Sequence, residues 1–152
     1  MSSPSNPLPV ILCGRRVEIG KPVAEILAPE FEVIHFCMDA ETAITQIPRL
    51  LKGDKPQSPD HTGIGTQNYT QVPRAVVFGR GYELSDVEAM KAAAEGYNVD
   101  PVVWIAGDPH RKSQPNEPQP GPGYAQFAAG KVKEKLMEWQ NGGCAENGLV
   151  LW

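Results

Sequence analysis

The stretch Val10-Ile11-Leu12-Cys13-Gly14 decides the fold, because the same pattern returns twice further along the chain. The two repeats are Ala75-Val76-Val77-Phe78-Gly79 and Val102-Val103-Trp104-Ile105-Ala106-Gly107. Uninterrupted apolar runs are typical of strands buried on both faces, as in parallel sheets covered by helices. Ligands of open α/β sheets bind outside the carboxyl ends of the strands. The three glycines therefore predict strand ends at one edge of a sheet, and a binding site there.

Composition sets the broad class of the protein. A chain of 152 residues with 41% hydrophobic and 21% charged residues suits one globular domain with its own core. The net charge of -4 argues against a nucleic-acid partner, and no apolar run is long enough to span a bilayer. We expect residues 1–8 to form a flexible arm and residues 9–152 to form the domain. Three sparse cysteines and a polar amino terminus favour a cytoplasmic location.

Strand and helix patterns alternate along the whole chain. The first helix is expected to open at Pro22, the second to break or kink near Gln46 because of Pro48, and the third to open with a Ser85–Glu88 capping box and end at Gly96. The predicted strands are 9–13, 31–37, 74–78, 101–106 and 149–152, and the last helix is 124–140.

Five strands alternating with four helices predict an α/β fold, a doubly wound three-layer sandwich with a five-stranded parallel sheet. This architecture is Rossmann-like or flavodoxin-like. We prefer the strand order 2-1-3-4-5 to 3-2-1-4-5, since it makes the three glycine-ended strands contiguous. Two connections are unusually long for a compact domain, residues 52–72 and 108–123. We expect the first to be flexible and the second, which leaves a strand at the predicted site, to be a lid.

The turn after the first strand carries a family resemblance. Gly14 and Gly20 match the first and last glycines of the Gly-x-x-x-Gly-x-Gly fingerprint, and Glu18 replaces the middle one. The stretch resembles the start of an NAD(P)-binding Rossmann domain of the short-chain dehydrogenase type, over about the first forty residues. That resemblance implies a pyrophosphate at this turn and a ribose hydroxyl on Asp39. The family's Tyr-x-x-x-Lys pair does not occur in the chain.

The order of elements also resembles phosphoacceptor receiver domains. Those domains need acidic residues after the first strand and an aspartate at the end of the third. Arg15, Arg16 and Gly79 stand at these positions. A phosphorelay receiver is therefore not expected.

Cations follow the strand ends in a chain that is acidic overall. They are Arg15, Arg16, Arg80, His110 and Arg111. Arginine suits two-point contact with carboxylate or phosphate, and helix N-termini at the same edge add partial positive charge. A small anionic or nucleotide-like molecule is the expected ligand. The alternative is that these arginines pair with Glu18, Glu83 and Asp108 as surface charges.

Two sets of residues follow from these patterns. The predicted ligand- or cofactor-binding set is Gly14, Arg15, Arg16, Gly20, Asp39, Gly79, Arg80, Gly107 and Arg111. The candidate acid–base residues are His110, Asp108 and Tyr82, with Glu83 and Asp39 as further carboxylates.

Three classes of function remain open on the sequence. They are a binding protein for a small anion, a small cofactor-free isomerase, lyase or cyclase using His110 or Asp108, and a Rossmann-like interaction module whose proline-rich loop meets a partner. A homodimer would suit so small a chain. His35 and Cys37 share a strand face, but we interpret them as a hydrogen-bonded histidine and a buried thiol rather than as metal ligands.

Overall fold

A computed structural model describes residues 7–28, 30–55, 63–70, 72–79, 82–94, 102–107, 122–142 and 148–152. Strands and helices alternate within these ranges. The strands are β1 (Leu8–Cys13), β2 (Phe31–Cys37), β3 (Ala75–Phe78), β4 (Val103–Ala106) and β5 (Gly148–Leu151), and the helices are α1 (Val17–Leu27), α2 (Ala40–Leu51), α3 (Leu84–Ala94) and α4 (Pro122–Asn141). No helix in these ranges is both long and apolar enough to cross a bilayer.

The five strands form one parallel sheet in the order β2-β1-β3-β4-β5. The predicted α/β class, the parallel pairing and the preferred strand order are thereby confirmed. The order reverses between β1 and β3. The chain passes from β1 through α1 to β2 on one side of β1, and it later adds β3, β4 and β5 on the other side. This is the switch point at which α/β sheets of this kind bind ligands.

Helices cover both faces of the sheet, which explains the unbroken apolar runs. Val10 and Leu12 join the core on the first face, beneath α1 and α4. Ile11 and Cys13 join the core on the second face, beneath α2 and α3. Because successive side chains of a strand point to opposite faces, a strand between two helical layers needs apolar residues at every position.

Three predicted helix features are wrong. α1 begins at Val17, so Pro22 lies inside the helix, and α2 runs unbroken from Ala40 to Leu51 through Pro48. Each proline removes one backbone hydrogen bond, to the carbonyl four residues earlier. Those carbonyls belong to Glu18 and Ile44, which lie on exposed sides of their helices, where water can replace the bond.

The third correction concerns the start of α3, which begins at Leu84 rather than behind a Ser85 cap. The amides of Asp86 and Val87 both donate to the carbonyl oxygen of Glu83, at 3.0 and 3.2 Å. Glu83 therefore opens the helix, and Ser85 lies within its first turn. Gly96, predicted to end this helix, lies outside the described residues.

Part of the first long connection lies along the outer side of β2. The amides of Thr66 and Gln67 donate to the carbonyl oxygens of Val33 and Ile34, both at 2.9 Å. Ile64 is buried in the core of the first face. Residues 63–70, which we call the edge segment, therefore cover the strand that ends the sheet. The flexibility expected for the whole connection stays a prediction.

Candidate functional site

The carboxyl ends of the strands are joined by backbone hydrogen bonds. The amide of Gly14 donates to the carbonyl oxygen of Cys37, and that of Gly79 donates to Cys13, each at 2.9 Å. Beyond β4, at the carboxyl end of β5, the amide of Trp152 donates to the carbonyl oxygen of Ala106 at 3.0 Å. The residues that follow β1, β3 and β5 thus extend the sheet by one step and form the rim of the predicted site.

Gly14 and Gly20 make room for an aromatic ring of the protein itself. A Cβ on Gly20 would lie 2.6 Å from the ring of Phe36, and one on Gly14 would lie 3.3 Å from it. Both glycines therefore allow α1 and the preceding turn to approach β2 closely. Close packing of helix on strand is also the role of the last glycine in a dinucleotide fingerprint. Packing against Phe36 therefore explains both glycines without a phosphate ligand.

The N-terminus of α1 points to this rim. Arg16 is its N-cap, in extended conformation with φ -134°, and its side chain makes no capping hydrogen bond. The amides of Ile19 and Gly20 donate back to the carbonyl oxygen of Arg16. The first amides of a helix carry partial positive charge and attract anions.

The side chain of Arg16 lies on the surface, away from a shared centre. One of its guanidinium nitrogens lies 3.4 Å from Oε2 of Glu18, and both side chains are more than half exposed. An exposed pair of this kind contributes little to stability. For Arg16, the structure matches the alternative of a surface ion pair with Glu18.

Arg15 and Tyr82 come together at the switch point. The guanidinium carbon of Arg15 lies 5.1 Å from the centre of the Tyr82 ring, which is a cation–π arrangement. The Tyr82 hydroxyl donates a hydrogen bond to the carbonyl oxygen of Cys37 at 3.1 Å, and only 5% of the residue is exposed. Tyr82 thus holds an exposed arginine over the ends of β1 and β2.

Burial raises the pKa of Tyr82 far above its ordinary value of 10.0. The hydroxyl therefore stays protonated at neutral pH. This state suits a hydrogen-bond donor that fixes Arg15 and Cys37. The catalytic role assigned to Tyr82 from the sequence stays a prediction.

Asp39, at the start of α2, lies near Arg15. Its Oδ1 accepts a hydrogen bond from the amide of Thr42 at 2.7 Å, so it is the N-cap of that helix. The hydrogen bonds from Thr42, assisted by the charge of Arg15, hold the pKa of this carboxyl below its ordinary value of 3.8. Asp39 is thus an anion next to Arg15. Its predicted contact with a ribose hydroxyl stays a prediction.

Aromatic side chains pack behind Tyr82. The Phe78 ring meets that of Tyr82 edge-on at 5.4 Å and stacks on that of Trp104 at 6.1 Å. The indole nitrogen of Trp152 donates to the carbonyl oxygen of Phe78 at 3.3 Å. Trp152 is 5% exposed and packs in the core of the first face.

Four predicted site residues cannot be placed. Arg80, Asp108, His110 and Arg111 lie outside the described residues. Gly79 is half-buried behind β3, and Gly107 is buried behind β4. Of the predicted set, the structure therefore brings together Arg15, Tyr82 and Asp39 at the carboxyl edge and gives Gly14 and Gly20 a packing role.

A cavity of about 430 Å³ lies elsewhere, beside the first half of β2. Its walls come from α1, from β2 and from the edge segment, and Lys21, Glu25 and Glu32 are among the charged residues that line it. No local sequence pattern indicates this cavity, because one of its walls is the edge segment, which has no recognisable motif.

His35 belongs to a buried polar group that the sequence only partly indicated. Its Nδ1 lies 2.8 Å from the Tyr69 hydroxyl, and its Nε2 is hydrogen-bonded to Oε1 of Gln46. His35 and Gln46 are almost fully buried. Both ring nitrogens thus have protein partners, which fits the interpretation of a hydrogen-bonded histidine. The partners come from α2 and the edge segment, so no local motif could reveal them.

Comparison with known proteins identifies the family of this chain. No family model and no solved structure matches the chain. A protein of Aspergillus oryzae named Kojic acid related protein 6 is 37% identical over 142 residues, which cover 92% of this chain and 83% of that protein. At this identity, over nearly the full length of both, the chain belongs to the same family as Kojic acid related protein 6.

Proposed function

We propose that this protein binds a small organic anion at the carboxyl edge of its sheet, between β1 and β3. The observation that carries the proposal is the guanidinium of Arg15, held 5.1 Å above the Tyr82 ring beside an N-terminus of α1 that has no side-chain cap. A fixed guanidinium and helix amides are two independent attractions for negative charge. They meet at the switch point, where folds of this class take ligands.

The surroundings favour a small anion over a dinucleotide. Glu18 places a carboxylate in the first turn of α1, among the amides that would have to hold a pyrophosphate, and Asp39 places a second carboxylate beside Arg15. Gly14 and Gly20 are accounted for by the ring of Phe36. A single carboxylate or enolate needs only Arg15 and one or two amides. NAD(P) therefore ranks below a small acid as the ligand.

The name of the relative suggests a first compound to try. It connects that protein with kojic acid. Kojic acid is a small oxygen heterocycle whose enolic hydroxyl can ionise, so it belongs to the chemical class that the site favours. We therefore place it first among the ligands, followed by simple carboxylic acids, nucleotides and NAD(P).

Thermal unfolding with and without ligand tests this proposal. A ligand at one hundred times its dissociation constant stabilises the folded state by about 2.7 kcal/mol, which raises Tm by several degrees. We expect such a rise with a small organic anion for the wild type and its loss in Arg15→Gln. Arg74→Gln is the matched control, because Arg74 lies 5.5 Å from the Trp139 ring at the opposite edge of the sheet.

Two results would contradict the proposal. One is the absence of any rise in Tm with every anion tried. The other is a rise that Arg74→Gln abolishes and Arg15→Gln leaves intact. Unliganded melting curves of both variants show whether either change alters the fold itself.

Other functional expectations remain predictions. An isomerase, lyase or cyclase activity would need His110 or Asp108, and an interaction module would use the proline-rich loop; all of these lie outside the described residues. The homodimer and the cytoplasmic location likewise stay predictions. Loss of turnover in His110→Ala without loss of stability would favour an enzyme.

A further inference from the structure

Cys13 and Cys37 lie opposite each other at the ends of neighbouring strands. They are register partners in the parallel pair of β1 and β2. Neighbouring strands are about 4.8 Å apart, and disulfides join residues whose Cα atoms are about 4.4–6.8 Å apart. Both side chains belong to the core of the second face, so they leave their strands on the same side. The backbone thus already places two thiols at bonding range.

The two thiols are in contact and shielded from water. Cys13 is 0% exposed and Cys37 is 1% exposed, and both pack in the core of the second face. Burial raises the pKa of the Cys13 thiol well above its ordinary value, and the neighbouring Cys37 raises it further. The pair is therefore protonated and slow to react at neutral pH, since the thiolate is the reactive form.

We infer that Cys13 and Cys37 form a reversible intramolecular disulfide when the protein meets hydrogen peroxide. One thiol, as its thiolate, attacks a peroxide oxygen; the O–O bond breaks, hydroxide leaves, and the sulfur becomes a sulfenic acid. The second thiol attacks that sulfur, the S–S bond forms and the S–O bond breaks. Its proton and the hydroxyl leave as water. Two thiols lose two electrons, and one peroxide is reduced to two water molecules.

Tyr82 controls access to this pair. Its ring packs in the same core, and its hydroxyl donates to the carbonyl oxygen of Cys37 at 3.1 Å. Tyr82 therefore covers part of the approach to this pair from the carboxyl edge. Loosening this residue is expected to speed oxidation.

Mass spectrometry of the peroxide-treated protein tests the inference. The background is Cys144→Ser, which removes the third cysteine, a residue outside the described ranges. We expect a product that has lost two hydrogens, whose cysteines resist alkylation in denaturant until dithiothreitol is added. Tyr82→Phe, which keeps the ring and removes its hydrogen bond to Cys37, should oxidise several-fold faster.

The controls are Cys13→Ala and Cys37→Ala, each of which should keep its full complement of hydrogens. Circular dichroism confirms that each variant is folded before treatment. Peroxide-treated protein whose two thiols both remain alkylatable would overturn the inference, as would a product that only gains oxygen. Equal oxidation rates for Tyr82→Phe and its parent would overturn the role of Tyr82 in access.

Discussion

The ring of Phe36 occupies the space that a side chain on Gly20 would need. Ring atoms lie 2.6 and 2.7 Å from the position of a Cβ there, and the side chain of Ile64 lies 3.2 Å away. Real Cβ atoms do not approach neighbours so closely. Phe36 is itself 4% exposed and packed in the core, so the ring has little freedom to retreat. Gly20 is thus a requirement of packing.

Replacing Gly20 with alanine should destabilise the protein even though alanine is the better helix former. We expect a loss of about 1–3 kcal/mol in the free energy of unfolding, the usual cost of overpacking a core. Urea denaturation measures it. Adding Phe36→Leu to Gly20→Ala should recover part of the loss, because the smaller side chain vacates that space.

Gly130 in α4 is the matched control. A Cβ there meets nothing within 4 Å, so Gly130→Ala should stabilise the protein by about 0.5–1 kcal/mol. If Gly20→Ala behaves in the same way as Gly130→Ala, the packing explanation for Gly20 is wrong.

At the scale of elements, α4 holds the end of α1. The Nζ of Lys133 lies 2.9 Å from Oε1 of Glu30 and donates to the carbonyl oxygen of Ile26 at 3.3 Å. A cation at the C-terminus of a helix is favoured by the helix dipole. Lys133 thus joins α1, α4 and the turn before β2 in one contact.

The contribution of this contact should depend on pH. Hydrogen bonding to Lys133 lowers the pKa of Glu30 from its ordinary value of 4.5. The unfolded chain therefore binds a proton on Glu30 more readily than the folded protein does. Stability from this pair is present above pH 4.5 and is lost as the pH falls through the lower folded value.

Lys133→Met should lower the free energy of unfolding at pH 7, and the difference from wild type should shrink below pH 4.5. Urea denaturation from pH 3 to 7 measures both. Lys135→Met is the control, because Nζ of Lys135 lies 3.9 Å from Oε1 of Glu138 within the same helix. A Lys133→Met difference that stays constant over this range would show that Glu30 contributes nothing.

The elements themselves were largely predictable, and the errors have a common cause. Apolar runs ending in glycine predicted β1, β3 and β4, because strands buried on both faces leave no other pattern. Proline and serine misplaced the helix starts at Pro22 and Ser85. Local rules treat both as start signals, but a proline on an exposed helix face costs only one bond, and Glu83 already opens α3.

The sequence predicts where the candidate site lies, but it indicates only some of the residues that form it. The edge of the sheet and Arg15 follow from the order of elements. The partnership of Arg15 with Tyr82 does not, since it depends on how α3 enters the second face. That Cys13 and Cys37 lie opposite each other depends on the register of β1 and β2, which no local pattern shows. The hydrogen-bond partners of His35 come from α2 and the edge segment, and the sequence does not place these elements beside it.

At the scale of the whole molecule, the edge segment protects the outer side of β2. Unpaired strand edges invite pairing with other chains. Thr66 and Gln67 occupy the outer carbonyls of Val33 and Ile34, and Ile64 anchors the segment in the core. Ile64 therefore contributes to this protection, together with the hydrogen bond between Tyr69 and His35.

Ile64→Ala should loosen the edge segment. We expect a loss of about 2 kcal/mol in the free energy of unfolding, faster amide exchange at Thr66 and Gln67, and more association at high concentration. Hydrogen-exchange mass spectrometry and light scattering measure these effects. Val72→Ala is the control, because Val72 is 41% exposed and its truncation should change stability by less than about 0.5 kcal/mol. Unchanged exchange at both amides would contradict the anchoring role of Ile64.

The edge segment also affects the order in which the two sides of β2 are paired during synthesis. During synthesis, β2 leaves the ribosome well before residues 63–70, and its partner β1 is already available. The inner side of β2 can therefore pair at once, while its outer side waits for a stretch of chain about thirty residues further on. Until that stretch arrives, the nascent chain presents an open strand to its neighbours. This interval is when we expect the protein to depend most on chaperones.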